Sequence, residues 1–361
     1  MSPKVRPFGK LMMCLVSLVL VVTVLAGAVG CGGDEATPGE TIILTFSMMS
    51  PPTAANSAVL GEFTFPEIEK RSNGRLIIEP YWSSSLLTGG ETLKGVGAGI
   101  ADMGFVYAAY TPAQLPLNCA PLGAFPTIQL TAADGQEIFG NLVEDWPEMT
   151  AELEMWGVRF LGLDSSHNQC LFSTKPIRTL ADFNGLKIRV HSAYMAEAVE
   201  AAGATAVFLP PGDVADALAR GMADASTASA TTGKAFGWFD YTDYFIETNF
   251  ATPALITNVI NLEVWRSLPS DLQSILEEVF LETSERTVSA YEEGIVAAIE
   301  EMEGMGIEII EFPASEIAKW NALPAVQQIA DDTAKELDDD GLPGTIVVGR
   351  YGEALEALGK L

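Results

Sequence analysis

In "NGLKIRVHSA", Asn184 to Ala193, two cations, Lys187 and Arg189, stand at alternate positions of a stretch that reads as a buried strand. Strand side chains alternate between faces, so both leave the same one. A guanidinium near the end of an apolar strand suits a carboxylate, because its planar fork donates two parallel hydrogen bonds. The competing assignment is an ion pair with one of the chain's own acids, since 48 acidic residues face 20 basic ones. Lys187 reads as a solvated strand end.

The other reactive residue types do not assemble into a catalyst. The two histidines are His167 and His191, and "HNQC" sets His167 near Cys170 as a nucleophile with a base, or as half a metal site. A zinc site takes three or four such ligands, and nothing completes this one. The glycines of "GVGAG" (95–99) close a helix instead of opening one after a strand, and "TTGKA" (231–235) lacks the Walker spacing. The chain therefore reads as a binding protein, with no catalytic residue, no metal and no cofactor.

The elements that must position Arg189 follow from the patterning. Strand signals fall at "TIILTFS" (41–47), "RLIIEPYW" (75–82) and "DMGFVY" (102–107), with helical periodicity between them. They return at "GLKIRV" (185–190), "AVFLP" (206–210) and "DASTAS" (224–229). Such alternation predicts βαβ units and mainly parallel sheets. "GAGIADMGFV" (97–106) and "ARGMADASTA" (219–228) share one order: helix end, glycine, apolar residue, Ala, Asp, then strand. Gly99 and Gly221 are the expected left-handed helix stops. Two similar α/β units predict paired lobes around a cleft, with the ligand beyond the carboxyl ends of the strands. The loops expected there are "SMMSPPTAANS", "YAAYTPAQ" and "TASATTGKAFGWFDY". The run from Ser267 to Gly306 predicts one long helix or two abutting ones, with Ser270 and Gln273 as a capping box.

Residues 1–30 carry Lys4, Arg6 and Lys10, then an apolar run from Leu11 to Val29 ending in "AVGC". That order predicts an export leader with cleavage and lipidation at Cys31; a single membrane-spanning anchor is the alternative. Residues 31–40 would form a short tether. Loss of the leader leaves 17 basic against 48 acidic residues, a net charge of −31, which excludes nucleic acid as a partner. Past Cys31 the thiols are Cys119 and Cys170, either a disulfide or two buried cysteines.

"STKPIRTLADFNGLKIRV", "GATAVFLPPGDVADALARGMADA" and "WRSLPSDLQSIL", with the upstream "NGRLIIEPYWSSSLLTGGETLKGVGAGIADMGF", resemble the DctP-type solute receptors of TRAP (tripartite ATP-independent periplasmic) transporters. The resemblance implies an α/β, two-lobed periplasmic-binding-protein-like fold with a long lobe-bridging helix. It implies lobe I at 41–166 and 254–292, and lobe II at 167–253 and 293–361. It also implies a small organic-acid ligand, delivery to a sodium-driven TRAP permease, and a place in the periplasm or on the outer face of the cytoplasmic membrane. A receptor serving a sensor or chemotaxis partner is the alternative. By the same resemblance Arg189 clamps the ligand carboxylate. The sialic acid receptors of this family have a second arginine at the position of Gln169 and an asparagine near that of Ala228. Their replacement, with the loop aromatics Phe236, Trp238, Phe239 and Tyr241, points to a less polar carboxylate, with Trp238 as a ligand contact. Tyr107, Tyr110 and Asn258 complete the expected site.

Overall fold

The computed structural model describes residues 41–125, 128–166, 169–250 and 255–361, without the side chains of residues 122, 123, 249 and 250. The expected leader, Cys31 and the tether lie outside them, as does His167. Eleven strands occur among the described residues: β1 (Ile42–Ser47), β2 (Leu76–Tyr81), β3 (Met103–Tyr107), β4 (Val158–Ser165), β5 (Gln169–Ser173), β6 (Lys187–Val190), β7 (Thr205–Phe208), β8 (Ala225–Ala228), β9 (Tyr244–Phe250), β10 (Leu255–Asn261) and β11 (Glu308–Glu311). They form a five-stranded sheet, ordered β2-β1-β3-β10-β4, and a six-stranded sheet, ordered β11-β9-β5-β8-β6-β7.

Each sheet contains one strand that runs against the rest, β10 in the first and β5 in the second. Chain order supplies the reason. β4 leads from the first sheet straight to β5, and β9 leads from the second straight to β10. A strand that arrives from the other lobe enters at the cleft edge, so it must run away from the cleft while its neighbours run toward it. The sheets are therefore mixed, although every βαβ unit within a lobe is parallel as expected.

Gly99 and Gly221 both have left-handed backbones, with φ of +74° and +65°. Each ends a helix just before a strand, which is the shared pattern seen in the sequence. Ser270–Met305 is one unbroken helix of 36 residues, about 54 Å long at 1.5 Å per residue. Its first half packs Leu272, Leu276, Val279 and Phe280 into the core of the first sheet. Its second half packs Ala298 and Met302 into the second. The capping box does not form: Pro269 is the N-cap, and Gln273 Nε2 instead donates to the Trp265 carbonyl at 2.7 Å. Gly162 on β4 lets this helix come close, since a Cβ there would stand 3.0 Å from the Phe280 carbonyl oxygen.

One expectation needs correction, and the two readings of the cysteine pair are decided. Residues 293–361 divide between the lobes: β11 joins the second sheet, whereas the helices Pro324–Asp339 and Gly344–Ala357 pack Leu337, Val347, Tyr351 and Leu355 into the first core. Their apolar stripes pack against the helix Pro116–Ala124, which itself lies in the first core. No disulfide joins Cys119 and Cys170, because they pack in different clusters, one in each lobe.

Candidate functional site

A cavity of about 80 Å³ lies where the carboxyl ends of the strands from both sheets meet. The first lobe supplies Met49, Tyr107, Tyr110 and Ser166 from strand ends, together with Asn56. The second supplies Gln169 at the start of β5, Arg189 and His191 at the end of β6, Thr227 and Ala228 on β8, and Phe236 beyond the next helix. Tyr291 reaches it from the long helix. Five of the seven expected ligand residues line this cavity: Arg189, Gln169, Ala228, Tyr107 and Tyr110.

Arg189 is 2% exposed. Its Nε donates to the Leu209 carbonyl at 2.9 Å and Nη1 to the Thr227 carbonyl at 3.1 Å. Nη2 is buried and has no hydrogen-bond partner. No acid forms an ion pair with Arg189 among the described residues, so the competing salt-bridge assignment fails. Two carbonyls fix the plane of the guanidinium and leave Nη2, with both of its N–H groups, to donate to an anion in the cavity. Lys187, at the far end of the same strand, is exposed and donates to the Gly221 carbonyl, where it caps a helix end.

Trp238 does not line the cavity and packs behind it. Its side chain is fully buried, its indole Nε1 donates to the Pro211 carbonyl at 3.2 Å, and the Arg189 guanidinium lies 5.9 Å from its ring centroid. It packs edge-on against Phe172 at 5.4 Å. Gly237, with φ of +69°, turns the chain between Phe236, which lines the cavity, and Trp238, which leaves it. Phe239 is core and Tyr241 is exposed. Asn258 also falls away from the cavity. It sits two residues further along β10 than Ile256, which lines it, so it is roughly 7 Å deeper into the sheet.

His191, given no role in the reading of the sequence, is a cavity residue. Its ring stacks on Tyr107 across the cleft, with centroids 5.8 Å apart and planes at 29°. Burial, and after it the Arg189 charge, holds its pKa down at about 3, so the ring is neutral. The available signal was spacing: position 191 follows 189 by two and shares its face. Asn56 and Tyr291 left no signal of that kind.

Behind Asn56 lies a buried carboxyl, Asp164, to which Asn56 Nδ2 donates at 2.9 Å. Burial raises its pKa from 3.8 to about 6, against hydrogen bonds from Asn56 and Tyr291 that pull it down. Between those two pH values the folded chain keeps a proton that the unfolded chain has released, so stability falls as pH rises through that window. Above it the carboxylate costs about 3 kcal/mol. Asp164→Asn should therefore stabilise the protein by about 1–3 kcal/mol at pH 7.5, with the gain gone near pH 4. Urea denaturation at both pH values measures this; a loss of stability at pH 7.5 would mean that the two donors outweigh burial.

Residues 63–336 match the family described as bacterial extracellular solute-binding protein, family 7 (DctP). A monocarboxylate 2-oxoacid-binding periplasmic protein of Nostoc is 22% identical over 79% of this chain and 76% of its own length. The C4-dicarboxylate-binding periplasmic protein of Rhodobacter capsulatus is 23% identical over 82% of this chain and 88% of its own. A TRAP solute-binding protein from an unidentified marine microbe, specific for aromatic acids and crystallised with 3-hydroxybenzoate, superposes with a TM-score of 0.79 at 19% identity, over 88% of this chain and 99% of that one. The matched span runs through both sheets and contains Arg189, and with it the chain belongs to the family of bacterial extracellular solute-binding proteins, family 7.

Proposed function

We propose that the chain is the extracytoplasmic receptor of a TRAP transporter, binding a compact monocarboxylate with a largely apolar or aromatic body and delivering it to the permease. The carrying observation is the unpartnered buried Nη2 of Arg189 at the cavity. Arg189 is the single cation among the described lining residues, so a second carboxylate would have no matching charge. Met49, Phe105, Phe236 and Ile256 line the space around the polar end. The aromatic acid bound by the marine relative is of this class, whereas the Rhodobacter relative binds dicarboxylates.

A thermal-shift screen of monocarboxylates, C4-dicarboxylates and sugar acids tests the reading. A ligand at 100 times its Kd adds about 2.7 kcal/mol of stability, a shift that such a screen resolves. Tighter binding of a C4-dicarboxylate or of sialic acid than of every apolar monocarboxylate would overturn it. The leader and "AVGC" support an anchor at Cys31, for which mass spectrometry of membrane extracts should find an acylated N-terminal cysteine; an intact Met1 in that fraction would refute it.

A further inference from the structure

The hydrogen-bond inventory around His191 constrains the ligand beyond its carboxylate. Thr227 Oγ1, which carries one proton, lies 3.3 Å from the Arg189 carbonyl oxygen, a group that can only accept. The same hydroxyl oxygen lies 3.3 Å from His191 Nδ1. A hydroxyl that donates to the carbonyl can only accept from the ring, and that arrangement puts the ring proton on Nδ1. A neutral imidazole has one N–H, so Nε2 is then a bare acceptor. No described residue hydrogen-bonds to Nε2, and His191 lines the same cavity as Arg189. The ring is held in place from both sides. Tyr107 stacks on it, and Ser192 caps the next helix by accepting from the Met195 N–H at 3.2 Å, which fixes the backbone.

We propose that His191 Nε2 selects for a ligand that presents a hydrogen-bond donor beside the carboxylate held by Arg189. The favoured class is 2-hydroxy monocarboxylates and acids with a ring N–H at that position; 2-oxo acids, which offer a carbonyl oxygen to an acceptor, are disfavoured. This rests on the carboxylate reading of Arg189 and makes that reading more specific.

The chain has two histidines, so long-range proton–nitrogen correlation spectra of the apo protein and of a His167→Gln variant assign His191 directly. The expected tautomer carries its proton on Nδ1; a proton on Nε2 would overturn the proposal without touching the carboxylate reading. Calorimetry should then compare lactate with pyruvate and propionate, and pyroglutamate with cyclopentanecarboxylate. The donor-bearing acid of each set should bind about tenfold more tightly, the yield of one matched hydrogen bond. His191→Phe keeps a ring on Tyr107 and removes the acceptor, so it should erase that preference, with the donor-bearing and donor-free acids of each set then binding within about threefold of each other. If acids bind through Arg189 with no donor preference, this inference alone fails. If no acid in either set binds, the carboxylate reading fails and takes this inference with it.

Discussion

Arg189→Met should weaken acid binding by more than a hundredfold and leave the empty protein about as stable as wild type, or more so. In the empty protein the guanidinium is buried without any anion, held by two carbonyls, Leu209 and Thr227. Each hydrogen bond from a charged donor contributes about 1.5–3 kcal/mol, while removing such a charge from water costs several kcal/mol. Methionine fills similar space without the charge, and apolar replacement of a buried ion is often neutral or stabilising by about 1–4 kcal/mol. With an acid bound the balance reverses, because the ligand carboxylate would then be buried with no partner at a cost of about 3–5 kcal/mol. Since 1.4 kcal/mol is about tenfold, that cost exceeds a hundredfold. Arg189→Lys keeps the charge but loses the fork that two carbonyls hold in plane, so it should fall between the two. Calorimetry with the best acid from the screen reads binding, and urea denaturation reads stability. If the Met variant bound within threefold of wild type, or if the empty protein lost more than about 3 kcal/mol, Arg189 would be structural.

Arg189 was legible because its surroundings are local: an apolar strand, a cation two residues from its end, and a family signature around both. The first three strands and β6 to β8 were legible for the same reason, each being a short apolar run bounded by turn signals. The crossing strands were not. "QCLFS" and "LITNVIN" are buried along most of their length, so they lack the alternation that marks a half-exposed strand. Their direction is set by which lobe the chain has just left, a fact of topology that no local window contains. The final two helices show a second limit. The apolar stripe of Pro324–Asp339 predicts an amphipathic helix, but only the shape of the first core says where that stripe docks.

Phe236 and Trp238 show how a single backbone angle decides between contact and core. Both were legible as aromatics in a loop near the cleft; the left-handed Gly237 between them sends one in and the other behind. An acceptor beside a strand end was equally invisible at His191, whose proposed role depends on a hydroxyl from β8 that approaches only in the folded sheet.

Trp238→Ala should cost about 3–5 kcal/mol of folding stability, the usual range for an aromatic removed from a packed core. The side chain is fully buried, meets Phe172 edge-on, and spends its one donor on the Pro211 carbonyl. That carbonyl belongs to the turn after Leu209, whose own carbonyl orients the Arg189 guanidinium. Loss of the indole therefore loosens both the ring face beneath Arg189 and the segment that holds its Nε. Acid affinity should fall along with stability, by about tenfold, although Trp238 does not line the cavity. Trp238→Phe separates the two roles. It keeps most of the packing and the ring face while giving up the Nε1 hydrogen bond, so it should cost about 1–2 kcal/mol of stability and leave affinity within threefold. Those two variants, measured by urea denaturation and calorimetry with the same acid, distinguish a support from a contact. A contact would lose affinity in the Phe variant with stability unchanged, and that outcome would return Trp238 to the wall of the cavity.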